Sequence, residues 1–292
     1  MNTRKTLFGV LALLLLTGCS DASAVLSDRS TAILSVGDTT ITKGDVYDRL
    51  LPAYSAPAAL QHFTEVVCDK EVEVTPEMEK TAQDNLDYYK TVLGDYFEEY
   101  MASMGLDEES FLKEQIMYQQ NELLPSVYVN ENYTVLAEQY KPIKGTILTF
   151  ESYDNANSAL SALKDGSMNA QEAAHTYGST STGEPELITM EAGSYDPEAV
   201  AVLRSAEPDD GWTVIKSTSG SSYVLKVEEK DYEALKEEAS AVFEGITQVQ
   251  QDTMTWLSEK YGFKVYDIDL IRSIYADYPY LLTQKIPSSL TD

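Results

Sequence analysis

The chain has 292 residues, of which 48 are acidic and 21 basic, so its formal net charge at pH 7 is −27. This charge excludes nucleic acid as a partner class, because binding to phosphates requires clustered Lys and Arg. It also disfavours adsorption to anionic lipid headgroups. With a hydrophobic content of 43%, the chain can bury a core, and its length allows two domains.

The beginning of the chain has the features of an export signal. Arg4 and Lys5 precede an apolar run over residues 7–16, which as a helix would reach about 15 Å. A membrane core is about 30 Å thick, so this run predicts a signal h-region rather than a span. Residues 1–18 are therefore predicted to be a signal peptide, and the small, polar residues 19–30 a tether.

The apolar run ends in Leu16-Thr17-Gly18-Cys19, which resembles the bacterial lipoprotein box. The resemblance implies cleavage before Cys19 and lipid attachment to its sulfur. The mature protein would then contact the membrane through its lipid anchor alone. Cys68 would be the single unmodified cysteine, so no internal disulfide can form. We expect Cys68 to be a small buried apolar residue rather than a nucleophile.

The folded part of the chain is predicted to begin with a strand, a turn and a second strand. These are Ala32–Val36, Gly37-Asp38 and Thr39–Ile41. Thr42 and Asp45 have the spacing of a capping box that opens a helix through Leu51. The stretch from Val36 to Val46 resembles the start of the extracytoplasmic chaperone domain of PrsA and SurA.

Helical periodicity dominates the next part of the chain. Apolar residues recur every three or four positions from Pro76 to Met104, which predicts one long helix of roughly 43 Å. Gly105 is expected to end it, and Asp107 to cap a following helix. Leu124-Pro125 is expected to break that helix. A short helix from Asn130 to Tyr140 would then lead to a domain boundary at Lys141-Pro142.

The segment from Pro142 to Val227 predicts a small α+β unit. Its predicted elements are a strand at Thr146–Phe150, helices at Asn155–Leu163 and Ala170–Gly178, and a strand at Tyr223–Val227. A polar loop after the second helix leads to the segment Pro197–Leu203. Their order resembles the parvulin family of peptidyl-prolyl isomerases. This resemblance implies a parvulin-like domain over residues 142–230.

The residues that carry catalysis in parvulins differ here. The resemblance places the two family histidines on Thr146 and Tyr223, and Gly183–Leu187 stands where the family has a glycine-rich run. Neither replacement provides the tautomers of an imidazole pair. We therefore assign no catalytic residue and expect isomerase activity to be weak or lost. Met190 and Leu203 are either pocket residues or plain core residues.

The last part of the chain returns to helix. Apolar residues recur from Tyr232 to Trp256 in a narrow seam, Gly262 ends the pattern, and Phe263–Ile268 alternates as a strand would. The predicted fold class is α+β: a mainly helical chaperone domain built from both chain ends, residues 31–141 and 231–292, with the parvulin-like domain inserted. The seams would allow a homodimer.

No motif for metal, cofactor or hydrolytic chemistry is present. His62 and His175 have no ligand spacing, no Gly-x-Ser-x-Gly occurs, and no phosphate-binding glycine loop occurs. We expect no metal and no cofactor.

The 20 tyrosines indicate adaptable binding, since tyrosine combines a large contact area with a polar tip. Two groups stand out: Tyr88, Tyr89, Tyr96 and Tyr100, and Tyr275, Tyr278 and Tyr280 beside Leu281 and Leu282. The sequence predicts a lipid-anchored extracytoplasmic chaperone, resembling PrsA, whose partners are unfolded or newly exported proteins. The alternatives are an active, divergent isomerase and a non-catalytic binding or scaffold lipoprotein.

Overall fold

The computed structural model describes residues 26–36, 39–190, 195–287 and 290. Its strands are β1 (Ala32–Val36), β2 (Thr39–Thr42), β3 (Ile143–Phe150), β4 (Glu186–Ile188), β5 (Thr213–Lys216) and β6 (Ser222–Glu229). Its helices are α1 (Lys43–Glu71), α2 (Pro76–Leu93), α3 (Phe97–Met104), α4 (Glu108–Tyr140), α5 (Tyr153–Lys164), α6 (Ala170–Tyr177), α7 (Pro197–Ser205), α8 (Lys236–Glu244), α9 (Thr247–Lys260) and α10 (Ile268–Asp277). Short 3-10 turns occur at Gly94–Tyr96, Pro208–Asp210 and Pro279–Leu281.

The chain divides into two compact units. The first combines the chain up to Glu65 with the chain from Met254 onward, and the second runs from Val66 to Thr253. The predicted domain boundaries at 141/142 and 230/231 stay a prediction. Among the helices that the structure describes, none is long and apolar enough to cross a membrane.

In the first unit, β1 and β2 form the predicted antiparallel pair, with Val36 opposite Thr39. The turn at Gly37-Asp38 lies outside the described residues. The capping pair is confirmed: Thr42 N–H donates to the Asp45 carboxylate at 2.8 Å, and Asp45 N–H donates to Thr42 Oγ1 at 3.2 Å. These reciprocal bonds satisfy donors at the start of α1.

The two chain ends contact each other within the first unit. The rings of Phe63 and Phe263 lie 4.7 Å apart, and the Tyr47 hydroxyl donates to Asp267 at 3.0 Å. The predicted strand at 263–268 is wrong. The side chain of Gln284 bonds both the N–H and the C=O of Val265, at 2.7 and 2.8 Å, so a side chain takes the place of a partner strand.

In the second unit, α2, α3 and α4 share a core of Leu86, Phe97, Met101 and Phe111. The predicted single helix from Pro76 to Met104 is wrong, because Gly94 adopts φ 52° and ψ −126°. This conformation is open to glycine and ends the α2 hydrogen-bond pattern. The predicted stop at Gly105 and cap at Asp107 are confirmed.

Helix α4 continues through Pro125, so the predicted break there is wrong. Proline lacks the N–H that a helix interior requires, at a cost of about 3 kcal/mol. The helix nevertheless buries Leu124, Val129 and Leu136 completely or almost completely. Since the buried residues stand both before and after the proline in the chain, packing outweighs the missing bond.

The C-terminal half of α4 packs against α8 and α9. Val129, Tyr133, Phe243 and Val249 belong to one buried cluster, and the Tyr133 hydroxyl donates to the carbonyl of Tyr232. The predicted continuous helix from Tyr232 to Trp256 is wrong. The chain forms two helices there, α8 and α9, which are separated at Gly245-Ile246. Val242, one of the residues of the predicted seam, is 39% exposed.

The sheet of the second unit has the order β4-β3-β6-β5, with every neighbouring pair antiparallel. One face packs on α5 and α6 through Leu148, Phe150 and Val224. The other packs on α7 through residues that include Ile147 and Leu225. This small α+β unit beside long helices confirms the predicted fold class. The short strands β4 and β5 were not predicted.

Candidate functional site

The two positions that match the parvulin histidines are located on the central strands, Thr146 on β3 and Tyr223 on β6. In the register, Thr146 stands opposite Lys226, whereas Tyr223 stands opposite Thr149. Neighbouring residues of a strand point to opposite faces of the sheet. Thr146 therefore lies on the α5–α6 face and Tyr223 on the α7 face, and the structure does not bring the two together.

Tyr223 is bound to the start of α7. It is 8% exposed and belongs to the cluster with Ala199 and Leu203. Its hydroxyl donates to Asp196 Oδ2 at 3.3 Å, and the hydroxyls of Ser217 and Ser219 donate to the same oxygen at 2.8 and 2.9 Å. The hydroxyl proton of Tyr223 therefore takes part in a hydrogen bond to the Asp196 carboxylate.

Asp196 has a second role as the N-cap of α7. Its Oδ1 accepts from the N–H groups of Glu198 and Ala199 at 2.9 and 3.4 Å. Burial acts to raise the pKa of Asp196, but the donors at Ser217, Ser219 and the α7 N–H groups outweigh it and lower the pKa below its ordinary value. The carboxylate is therefore ionised at neutral pH and can only accept hydrogen bonds.

A second contact ties the same two segments together. Thr218, in the turn between β5 and β6, donates from its N–H to Glu198 at 3.3 Å, and its hydroxyl also donates to Glu198. The turn is thus held to the first residues of α7 by two carboxylates. We refer to Asp196, Glu198, Ser217, Ser219 and Tyr223 as the α7–turn network.

The α7–turn network has a clear consequence for isomerase chemistry. A prolyl isomerase must hold the proline ring and stabilise the twisted amide. The network presents the Asp196 carboxylate, which is ionised and cannot donate to the amide, and a buried tyrosine whose hydroxyl already donates to Asp196. Among the hydroxyl groups of the network, all of which lie in the described part of the chain, each already donates to a carboxylate, so none is free for a substrate at this position.

On the other face, Thr146 is 1% exposed, and its hydroxyl donates to Glu228 Oε1 at 3.3 Å. Glu228 also pairs with Lys226 at 2.6 Å, and Lys226 lies 5.9 Å from the Trp212 ring centroid. Thr146 is therefore engaged within the sheet.

A surface pocket of about 370 Å³ runs along α7. Its lining residues are Thr189, Met190, Tyr195, Pro197, Val200, Ala201 and Arg204. Of the two predicted pocket residues, Met190 lines it at 58% exposure, whereas Leu203 is a core residue. Arg204 Nη1 donates to the Lys141 carbonyl at 2.9 Å, and Nη2 is buried without a hydrogen-bond partner in the described part of the chain. Burial lowers the pKa of Arg204.

Three exposed large side chains lie close together in the chain around the junction of α2 and α3. Tyr88 is 62% exposed, Val92 60% and Tyr96 72%. Tyr88 and Val92 are four residues apart and share one face of α2. We call these three residues the α2–α3 patch. Such side chains can contact a partner at little cost, because they already face water.

The layer beneath the patch is fixed by ring contacts. Tyr89 contacts Tyr88 edge-on at 5.8 Å, stacks on Tyr100 at 5.9 Å, and meets Phe111 edge-on at 5.6 Å. The sequence grouped Tyr88, Tyr89, Tyr96 and Tyr100 together; the structure divides them into exposed and supporting residues. The second predicted group is folded, with Leu281 2% exposed and Tyr278 edge-on to Tyr280 at 6.4 Å.

The remaining site predictions can be placed briefly. Cys68 is fully buried, and burial raises the pKa of its thiol to about 12, so it is no nucleophile. His62 and His175 are exposed on separate helices. Among the described residues, no cluster of three or more metal-ligating side chains occurs. Cys19 lies outside the described residues.

The sequence reasoning missed Asp196, Ser217 and Ser219. Asp196-Pro197 is a recognisable cap signal, since aspartate favours the N-cap and proline the first helical position. Nothing in the sequence shows that this cap would also meet serines 21 and 23 residues later. That meeting depends on the β5–β6 hairpin.

No family model matches this chain, and no curated protein matches it. Among solved structures, it is similar to the peptidylprolyl isomerase PrsA from Bacillus cereus, with 20% identity and a TM-score of 0.45 over 85% of this chain and 98% of that one. It is also similar to the foldase protein PrsA from Streptococcus pneumoniae, with 18% identity and a TM-score of 0.38 over 86% and 99%.

A third similar structure comes from work on PEB4 and Cj1289, two SurA-like chaperones of Campylobacter jejuni, with 16% identity and a TM-score of 0.23 over 76% and 92%. With TM-scores below 0.5, these likenesses assign no function and no site residue to this chain. They name the families that the sequence motifs resemble, and in this sense the predicted resemblance to PrsA and SurA is confirmed.

Proposed function

We propose that this protein is a lipid-anchored extracytoplasmic chaperone that assists the folding of exported proteins, and that its parvulin-like unit has weak or no isomerase activity. The observation that carries the proposal is the α2–α3 patch. Three large side chains that lie within a short stretch of a strongly charged protein are each at least 60% exposed and so are available for contact with a partner. Exposed aromatic surface of this kind is typical of binding sites.

The net charge of −27 supports the same function. Mutual repulsion keeps copies of an acidic protein apart, so an exposed apolar patch can remain available without self-association. Unfolded proteins expose the apolar side chains that the patch would contact. A chaperone needs both an exposed apolar surface and repulsion between its own copies, whereas an enzyme that binds a small, folded or soluble substrate needs neither.

The α7–turn network supports the loss of catalysis. Tyr223 is buried and donates to Asp196, and Thr146 lies on the other face of the sheet. We therefore expect the protein to bind clients without accelerating their proline isomerisation.

The anchor is proposed from Leu16-Thr17-Gly18-Cys19. Cleavage before Cys19 would remove two basic residues and no acidic one, which makes the mature chain still more acidic. Lipid on Cys19 would hold it at the outer surface of the cytoplasmic membrane or in the envelope beyond. Incorporation of labelled palmitate into the wild type, and its absence in Cys19→Ser, would support this; equal labelling would refute it.

The chaperone activity can be tested by diluting a denatured secreted protein into buffer and following light scattering. The wild type is expected to suppress aggregation, and Tyr88→Ser/Tyr96→Ser to lose most of this effect. Tyr118→Ser/Tyr153→Ser is the matched control, because these tyrosines are 53% and 43% exposed but lie outside the patch. Full suppression by the patch variant would contradict the proposal.

A second candidate function is a divergent isomerase, favoured by the pocket along α7 with its exposed Met190. A proline-limited refolding assay separates the two functions. We expect the wild type to leave the slow phase unchanged. An accelerated slow phase that Tyr223→Ala abolishes would instead establish catalysis on the α7 face.

A further inference from the structure

The α2–α3 patch is bordered by carboxylates that have no partner. Asp95 directly precedes Tyr96, and Glu98 and Glu99 follow in the first turn of α3. All three are exposed, and none has a hydrogen bond or ion pair in the part of the chain that the structure describes. Three free negative charges therefore stand within three residues of the most exposed tyrosine.

The two lysines of α2, Lys80 and Lys90, already have acidic partners. Lys90 pairs with Glu108 at 2.7 Å and lies 5.6 Å from the centroid of the Phe97 ring. Lys80, one turn before Asp84, pairs with that aspartate at 2.6 Å. The carboxylates beside Tyr96 are thus not neutralised from within α2.

The aromatic side chains and the free carboxylates favour the same kind of ligand. The faces of Tyr88 and Tyr96 attract Lys or Arg through cation–π contacts, and their edges and Val92 take up aliphatic groups. Carboxylates close by add charge-assisted attraction for the same cations and repel acidic segments. Anionic lipid and nucleic acid are disfavoured by the same charges.

We propose that the α2–α3 patch binds extended polypeptide segments in which Lys or Arg adjoins aliphatic or aromatic residues. This inference rests on the proposed chaperone function and names the class of client segment. It selects basic, apolar stretches of incompletely folded proteins over acidic ones. Within the patch, Tyr88 is already supported by its contact with Tyr89, which in turn packs on Tyr100 and Phe111, so this side chain need not be ordered when a client arrives.

The test uses three labelled, unstructured 15-residue peptides that share the same leucines and carry Lys, Gln or Glu at the remaining positions. Fluorescence anisotropy with the full chain measures each Kd. At low salt we expect the Lys peptide to bind about tenfold more tightly than the Gln peptide, and the Glu peptide not to bind detectably. At about 1 M salt the Lys preference is expected to fall to about twofold or less, because the charges are screened.

Two variants separate the contributions. Asp95→Asn/Glu98→Gln/Glu99→Gln is expected to reduce the Lys preference to about twofold, the part that the cation–π contacts supply, while binding of the Gln peptide stays unchanged. Glu151→Gln/Glu184→Gln/Asp209→Asn is the control, since it removes three exposed carboxylates elsewhere in the second unit, and the preference should persist. Tyr88→Ser/Tyr96→Ser is expected to weaken binding of both the Lys and the Gln peptide, because both lose the apolar contact, and the Lys peptide also loses the cation–π contact.

Equal affinity of the wild type for the Lys and Gln peptides, or a Lys preference that stays at about tenfold in the triple variant of the patch, would overturn the inference. The chaperone proposal fails separately, when the wild type does not suppress aggregation of any denatured protein. If the wild type suppresses aggregation but shows no preference for the Lys peptide, the inference is refuted and the chaperone proposal stands.

Discussion

At the scale of single residues, Asp196 connects three parts of the four-stranded sheet and its α7 face. Its two oxygens accept hydrogen bonds from the first N–H groups of α7, from two serines of the β5–β6 turn and from Tyr223. Each charge-assisted bond of this kind contributes more than a neutral one. Because it spans a helix, a turn and a strand, one carboxylate fixes the geometry of the whole α7 face.

This carboxylate should make stability depend on pH. The pKa of Asp196 is lowered from 3.8 in the folded protein, so its contribution is present above the unfolded pKa and is lost as the pH falls through the folded one. We expect Asp196→Asn to lower the free energy of unfolding by about 1–3 kcal/mol at pH 7. Urea unfolding between about pH 7 and pH 3 should show this difference shrinking below about pH 4.

Glu184→Gln, an exposed carboxylate in the loop before β4, is the matched control and should change stability by less than about 0.5 kcal/mol. A difference for Asp196→Asn that stays constant down to about pH 3 would contradict the role assigned to its charge.

The strand register gives a second prediction for the parvulin positions. Thr146→His/Tyr223→His would restore both family residues, but on opposite faces of the sheet. We expect no acceleration of proline-limited refolding, because the two imidazoles cannot hydrogen-bond to each other. Thr149→His/Tyr223→His puts the imidazoles opposite each other on one face and serves as the geometric control.

A pH titration followed by NMR measures whether the imidazoles interact. We expect coupled titration of the pair at 149 and 223 and independent titration of the pair at 146 and 223. Coupled titration of the pair at 146 and 223 would show that the register is wrong.

At the scale of elements, the sequence predicted most helices and the central strands, and it missed their interruptions. Apolar residues recur every three or four positions on both sides of Gly94, so the pattern alone cannot show whether the helix is interrupted there. The sequence therefore predicts one helix where the structure has two. At Pro125 the opposite error occurred. The local penalty for proline suggested a break, but the tertiary burial of Leu124 and Val129 decides the outcome.

The missed strands have a different cause. Strand β4 has three residues and β5 has four, too few for an alternation pattern. They form because β3 and β6, once paired with each other, each have an outer edge with which another strand can pair. The sequence does not show which segments will reach those edges. For the same reason the sequence identified Tyr223 but not Asp196. Tyr223 lies within a recognisable sequence motif, whereas its hydrogen bond to a residue 27 positions away depends on the fold.

The loop before β4 depends on one glycine. At Gly183, φ is 84°, and a Cβ would come within 2.6 Å of the Ala170 carbonyl oxygen. Gly166 has a similar φ of 72° with no atom within 4 Å of such a Cβ. We expect Gly166→Ala to cost about 1 kcal/mol from backbone strain alone. Gly183→Ala should cost about 2 kcal/mol or more, because backbone atoms must also move.

Chemical denaturation of both variants measures this difference directly. Equal losses of stability for the two would mean that the Ala170 contact relaxes freely, and that the loop is not held against the start of α6.

At the scale of the whole molecule, charge and the α2–α3 patch act in opposite directions. The patch favours association with any apolar surface, including that of another copy. The net charge of −27 opposes association between copies but not association with basic molecules. The protein can therefore keep Tyr88 and Tyr96 exposed without self-association as long as most of its carboxylates are ionised.

This balance predicts how the protein behaves on acidification. Its isoelectric point is about 4.3, and near that pH the repulsion between copies disappears while the patch stays exposed. We expect light scattering of the wild type to rise steeply as the pH approaches this value. Tyr88→Ser/Tyr96→Ser should scatter clearly less at the same pH, because its copies lack the apolar contact, whereas Tyr118→Ser/Tyr153→Ser should scatter as the wild type does. Equal scattering by the patch variant and the wild type would mean that loss of charge alone drives association and that the patch contributes nothing to it.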